Sequence, residues 1–173
     1  MKTNYVLTLK AEDRPGLLHL VTGVLNRKLV PLISLNAAPT DIHDVVLITM
    51  EIEISEKALQ PLLYKLENII EVFAAEAVPY EQVLCLRAAY FKMGKGFLET
   101  PGRFLLQKYS AVIVNIYPDA VLVAKYGTDA AIRQVYHSLE GPHLLGFSQT
   151  GLISESRLIG HEGEQSSVIS LAA

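Results

Sequence analysis

Charge is scarce in this chain of 173 residues. Asp, Glu, Lys and Arg together make up 19% of it, against about a quarter in a typical soluble protein. That shortage predicts apolar surface that a partner covers. The formal net charge of −3 offers no basic footprint, so nucleic acid is not an expected partner. Cysteine occurs once, at Cys85, which excludes an internal disulfide and fits a reducing, cytoplasmic setting. No apolar run approaches the roughly 20 residues that span a bilayer, and the N-terminus lacks a signal-peptide apolar region. No membrane association is expected.

Catalytic patterns are missing as well. His19, His43, His137, His143 and His161 are scattered, without the H-x-x-x-H, H-E-x-x-H or Cys/His spacings that hold a metal. His19 falls away from Leu18 and Val21 on its helix, as a solvated or interface histidine would. Cys85 sits among Val83, Leu84 and Leu86 with no base suggested beside it, so a packed thiol is expected rather than a nucleophile. Neither G-x-S-x-G nor a phosphate-loop frame is present, and Gly94-Lys95-Gly96 reads as a plain loop. Glu51 and Glu53 alternate with Met50, Ile52 and Ile54, which predicts a strand with carboxylates on a wet face. The expected catalytic residues are none, the expected metal ligands are none, and the chain needs no cofactor of its own.

What the chain does have is apolar patterning: 50% of its residues are hydrophobic, enough to bury one core or two small ones. The organising stretch is 7–39. A strand over 5–10 reaches the polar turn Glu12-Asp13-Arg14, and Pro15-Gly16 opens a helix. Leu17, Leu18, Leu20, Val21, Val24, Leu25 and Leu29 follow helical spacing and predict one buried face. Asp13 is placed to cap the first amides, and Pro15 sits where a missing N–H costs little. Gly16 has no Cβ, so a small anion or zwitterion can approach the positive end of the helix. Arg27 and Lys28 suit its negative end.

A strand over 32–38, a strand over 45–54, a helix over 56–68 and a strand over 70–78 follow. This order, βαββαβ, is that of a ferredoxin-like sandwich. Ser55 is the candidate cap of the second helix, with Leu59, Leu62, Leu63, Leu66 and Ile70 as its apolar positions. Pro61 conflicts with a helix interior and predicts a late start or an irregular first turn.

The order then repeats after Pro79-Tyr80-Glu81. Strands are expected over 83–89, 112–117, 121–126 and 144–151, with Pro118-Asp119 as a tight turn. One helix opens at Thr100-Pro101-Gly102, or nearer Gly96, and carries Phe104, Leu105 and Tyr109. Another starts at Thr128 or Asp129 and carries Ile132, Val135, Tyr136 and Leu139. Gly16-Leu17-Leu18 and Gly96-Phe97-Leu98 occupy similar points of the two halves, as in a structural duplication. The expected organisation is α+β: a first sandwich over 1–79, a second ferredoxin-like domain over 80–160, and a tail over 161–173 that frays or docks through Val168-Ile169-Ser170-Leu171.

Two phrases carry a resemblance. Glu12-Asp13-Arg14-Pro15-Gly16-Leu17 and Leu32-Ile33-Ser34-Leu35-Asn36-Ala37-Ala38-Pro39-Thr40 resemble the first turn and second strand of an ACT domain, most closely those of acetolactate synthase small, regulatory subunits. Gly151-Leu152-Ile153-Ser154-Glu155-Ser156-Arg157 is similar to the phrase that ends their second sandwich. The resemblance covers about 4–158.

The resemblance implies a non-catalytic subunit that dimerises through its ACT domains and activates a large catalytic acetolactate synthase subunit. That partner is expected to carry thiamine diphosphate, Mg and FAD. Feedback by valine or a related amino acid is implied at the dimer seam. Carried over, Asp13, Gly16 and Leu17 of one protomer would face Pro31 and Leu32 of the other around the effector. Three positions depart from the family pattern: Asp13 and Pro31 stand where Asn is usual, and Leu29 where Gly is usual. Those departures leave open a free-standing tandem ACT sensor acting on another partner. A small enzyme on the same scaffold is disfavoured by the missing catalytic constellation.

Overall fold

A computed structural model describes residues 2–99 and 101–156. The tail expected over 161–173 and the closing Arg157 lie outside the described residues. Strand β1 (Thr3–Glu12) places Tyr5, Leu7, Leu9 and Ala11 in one core. Helix α1 (Leu17–Arg27) adds Leu17, Val21, Val24 and Leu25 to it. Strands β2 (Leu32–Pro39) and β3 (Val45–Ile54), helix α2 (Glu56–Glu67) and strand β4 (Val72–Pro79) complete the first unit. Its antiparallel sheet runs β2-β3-β1-β4, with the apolar core between sheet and helices.

A 3-10 turn (Tyr80–Gln82) leads into the second unit. It comprises β5 (Cys85–Gly94), a 3-10 turn (Lys95–Glu99), α3 (Gly102–Lys108), β6 (Val112–Ile116), β7 (Ala120–Gly127), α4 (Asp129–Leu139) and β8 (Leu144–Gln149). The short strand β9 (Ile153–Ser154) pairs with the start of β5. The sheet order β6-β7-β5-β8 is the first order over again, each strand replaced by its counterpart. The fold is therefore two consecutive ferredoxin-like βαββαβ sandwiches.

The repetition extends to details. Each edge strand, β2 and β6, shifts register against its neighbour, between Leu32 and Ser34 and between Ile113 and Asn115. The first helix of each unit ends in the same way. Leu29 N–H donates to the Asn26 carbonyl and Val30 N–H to that of Leu25; Ser110 donates to Gln107 and Ala111 to Leu106. This double closure puts the residue after the cap in the left-handed region, and Leu29 and Ser110 have φ of 53° and 50°.

Several expectations are corrected. Asp13 does not cap α1: the cap position is Gly16, with no side-chain hydrogen bond, because Arg14, Pro15 and Gly16 separate Asp13 from the helix. Leu18, Leu20 and Leu29 are exposed, since the sheet covers only the stripe through Leu17, Val21, Val24 and Leu25. Ile70 is exposed because α2 stops at Glu67. That helix starts at Glu56 despite Pro61; Pro61 and Lys57 are both exposed, so water can satisfy the Lys57 carbonyl that Pro61 leaves without a partner. Strand β5 runs on to Gly94 rather than ending near 89, the strand expected over 144–151 ends at Gln149 as β8, and β9 was not expected. Phe104 faces outward while Leu106 is buried. Both proposed openings of the first helix of the second half carry structure, a 3-10 turn around Gly96 and α3 from Gly102. Thr128 is the cap of α4 and accepts from Ala131 N–H at 3.3 Å. The largest correction concerns Glu51, which is only 7% exposed: the second unit covers the sheet face where it lies.

Candidate functional site

The first turn is built by Pro15 and Gly16. Leu17 N–H donates to the Arg14 carbonyl at 3.2 Å, and Gly16 has φ 91° and ψ −12°. Proline then glycine at the two central positions is the sequence a type II turn requires. The Leu17 amide is thus committed and its side chain is buried in the core. By helix geometry the next donors, the Leu18 and His19 amides, lack intrahelical partners. Gly16 is exposed, with open space where a Cβ would stand. Asp13 is exposed beside it, its N–H donating to the Asp44 carbonyl at 2.8 Å.

Pro31 and Leu32 lie past the other end of α1. The Pro31 carbonyl accepts from Glu53 N–H at 3.3 Å, and Leu32 pairs with Ile52. An 11-residue helix is about 16 Å long at 1.5 Å per residue. One copy of the chain therefore does not bring Asp13, Gly16 and Leu17 together with Pro31 and Leu32. A ligand touching both groups needs two copies.

A second constellation lies between the two sandwiches. The Arg87 guanidinium, on β5, donates through Nη2 to Glu51 Oε2 on β3 and through Nε to Asp129 Oδ1 at the start of α4, at 2.7 Å. Its Nη1 reaches the Thr150 carbonyl at 3.4 Å, and Ser34 Oγ approaches Glu51 Oε2 at 3.5 Å. Burial works against the Arg87 charge, but Asp129 and Glu51 outweigh it and hold its pKa above the ordinary value. Each carboxylate comes from a different unit, so the cation fastens the second sandwich to the outer face of the first sheet. Thr8 and Thr49 are buried on that face.

Apolar contacts continue the seam. Val6, Cys85 and Leu152 form a small cluster with Tyr80 and Val83 packed against it. Burial raises the Cys85 pKa, and the Glu51 charge raises it further; the thiol stays neutral and weakly nucleophilic. Burial also raises that of the Tyr80 hydroxyl, with Asp129 adding to it. Gly151 presses on the backbone of β2: a Cβ there would lie 2.5 Å from the Leu35 carbonyl oxygen and 2.8 Å from its carbon. Only glycine permits that approach.

These groups bind and fasten. Among the described residues no group of three or more His, Cys, Asp or Glu side chains is placed to hold a metal, and no helix is long and apolar enough to cross a membrane. Arg87 was not singled out from the sequence, although it is the one charged residue in the stretch 82–91. A lone charge inside an apolar strand is the usual trace of a buried pair. Thr8, Thr49 and Glu51 left no trace of that kind, because polar residues on alternate strand positions predict a wet face.

No family model matches the chain. It is 21% identical over 155 residues to the acetolactate synthase small subunit of Mycolicibacterium smegmatis, covering 88% of this chain and 91% of that protein. The crystal structure of the acetolactate synthase small subunit from Thermotoga maritima superposes with a TM-score of 0.81 at 12% identity, over 89% of this chain and 97% of that one. This chain is similar to acetolactate synthase small subunits. The likeness to those small subunits spans both sandwiches rather than an ACT domain alone, since either coverage exceeds what one half could supply.

Proposed function

We propose that the chain is the regulatory, non-catalytic subunit of an acetolactate synthase in branched-chain amino-acid biosynthesis, acting in the cytoplasm. It binds and activates the large catalytic subunit, which carries thiamine diphosphate, Mg and FAD. One observation carries this: the similarity to proteins of that name runs nearly end to end on both sides. Two copies pair through their ACT domains. Valine or a related amino acid then sits between the first turn of one protomer (Asp13, Gly16, Leu17) and the strand-two start of the other (Pro31, Leu32). Open amides at the helix start suit a carboxylate, and Asp13 suits an ammonium. A ligand held on a seam biases the assembly through its differential affinity.

The test is co-expression with the acetolactate synthase large subunit of the same organism. Co-purification and a rise in acetolactate output, reduced by valine, are expected. Separate elution with unchanged output would sink the reading. The alternative, a free-standing tandem ACT sensor, is favoured by Pro31, which brings no side-chain amide and no N–H to the site. It predicts amino-acid binding by calorimetry without any effect on the synthase.

A further inference from the structure

A cleft of about 760 Å³ opens between the two sandwiches, with no residue of the first turn in its lining. Its floor is the outer face of the first sheet, where Lys10, Leu47 and Ala38 stand side by side in register on β1, β3 and β2. Its far wall is apolar and belongs to the second unit: Leu84, Leu86 and Ile153. Leu84 and Ile153 are more than half exposed there. The volume lies within the range of small-molecule sites, roughly 300–1,000 Å³, which pair apolar walls with a few polar groups.

Lys10 supplies the specificity. It is half-buried in the floor, and among the described residues it has no ion-pair partner. Glu12, the nearest carboxylate along β1, is taken by Arg14 at 2.7 Å. Asp41 and Glu155 stand on opposite rims, on the β2–β3 loop and just after β9. The units that form the two walls are joined by Arg87 clasping Glu51 and Asp129.

We propose that this cleft binds a small carboxylate with an aliphatic body, its carboxylate on the Lys10 ammonium and its chain against Leu47, Leu84, Leu86 and Ile153. The source is a plain aliphatic acid or an α-amino acid, whose ammonium would reach Glu155 on the rim. The site does not depend on the effector corner, the catalytic partner or a second copy of the chain.

The experiment is calorimetric titration of the purified full chain alone with octanoate, 2-aminooctanoate and octylamine. Saturable binding of octanoate or of 2-aminooctanoate supports the site. Preference for octanoate identifies the plain acid, and preference for 2-aminooctanoate the amino acid. Lys10→Met is expected to weaken binding by about tenfold or more, the usual effect of losing a charge-assisted contact. Leu84→Gln, at a position that is 54% exposed, is expected to weaken it several-fold. Binding of neither carboxylate, tighter binding of octylamine, or an affinity unmoved by both substitutions would overturn the proposal. A chain that binds octanoate yet ignores the synthase would retain this site and lose only the functional reading above.

Discussion

The outer faces of the two sheets invert the usual rule. On the first sheet that face carries Thr8, Thr49 and Glu51, which are buried, and only its Lys10 end opens onto the cleft. On the second it carries Tyr90, Val112 and Tyr126, and it is open, with Tyr126 73% exposed. Equivalent strands in equivalent orders thus have polar residues inside and apolar ones outside. The difference lies in what the chain does after each fourth strand. After β4 it continues as a second sandwich, whose Arg87, Leu152 and Gly151 are fitted to the first sheet. After β8, among the described residues, only β9 follows, and it turns back to the same seam. A buried cation makes a polar face suitable for burial; without a covering layer, an apolar face stays at the surface.

The sharpest way to break this comparison is to remove the clasp. Arg87→Met leaves Glu51 and Asp129 facing each other without a cation, Glu51 in a buried site. A loss of about 3 kcal/mol or more is expected, as for other broken buried pairs. Urea denaturation measures it. Glu51→Gln added to that variant should restore part of the loss, because the uncompensated charge is then gone. A loss below about 1 kcal/mol would mean that the seam is held by its apolar cluster alone.

Gly151→Ala comes next. The new methyl would meet the Leu35 carbonyl at 2.5 Å, so one backbone must move; about 2 kcal/mol of destabilisation is expected, in the range of overpacked cores. Gly141→Ala, where a Cβ meets open space but φ is 148°, separates backbone strain from collision. A cost at Gly151 no larger than at Gly141 would remove the close approach from the account.

Leu29→Gly should stabilise the chain by about 1 kcal/mol, the usual penalty for a side chain in the left-handed region. Leu29 is 87% exposed, so little packing is lost. Ser110→Gly tests the matching position of the second half and should act in the same direction. A destabilised Leu29→Gly chain would show that this leucine is covered in solution, as a dimer seam would do.

The smallest expected effect concerns pH. The Cys85 pKa is raised above its ordinary value of 9.0, so the folded chain holds that proton more tightly than the unfolded chain. Its contribution to stability is complete below about pH 9 and is lost as pH rises through the folded value. Thermal unfolding from pH 8 to pH 11 should therefore show a decline, and Cys85→Ala should flatten it in part. Tyr80, also raised, accounts for decline at the upper end. Ready alkylation of native Cys85 at pH 8 would contradict its buried, neutral state.

Much of the fold was legible because it rests on local signals. Pro15-Gly16 fixes a turn whatever surrounds it, and the alternation through β3 and the helical spacing of Leu17, Val21, Val24 and Leu25 select their elements. Length and order then leave few topologies besides two βαββαβ units. The candidate site was legible in part: the first turn forms as its residues require, but nothing local says whether Pro31 and Leu32 meet it, because that depends on a second copy.

The seam was not legible. A strand with polar residues at alternate positions reads as half-wet, and only the position of the second sandwich decides that Glu51 is dry. Sequence by itself determined the elements, their order and the Pro15-Gly16 turn, since these depend on steric limits within a few residues; the left-handed Leu29 and Ser110 run against those limits. Tertiary structure alone decided which sheet face is covered, that Arg87 serves two domains at once, and that Lys10 faces a cleft. The Arg87 contacts alone join groups 36 to 63 residues apart in sequence, a separation over which no local pattern carries information.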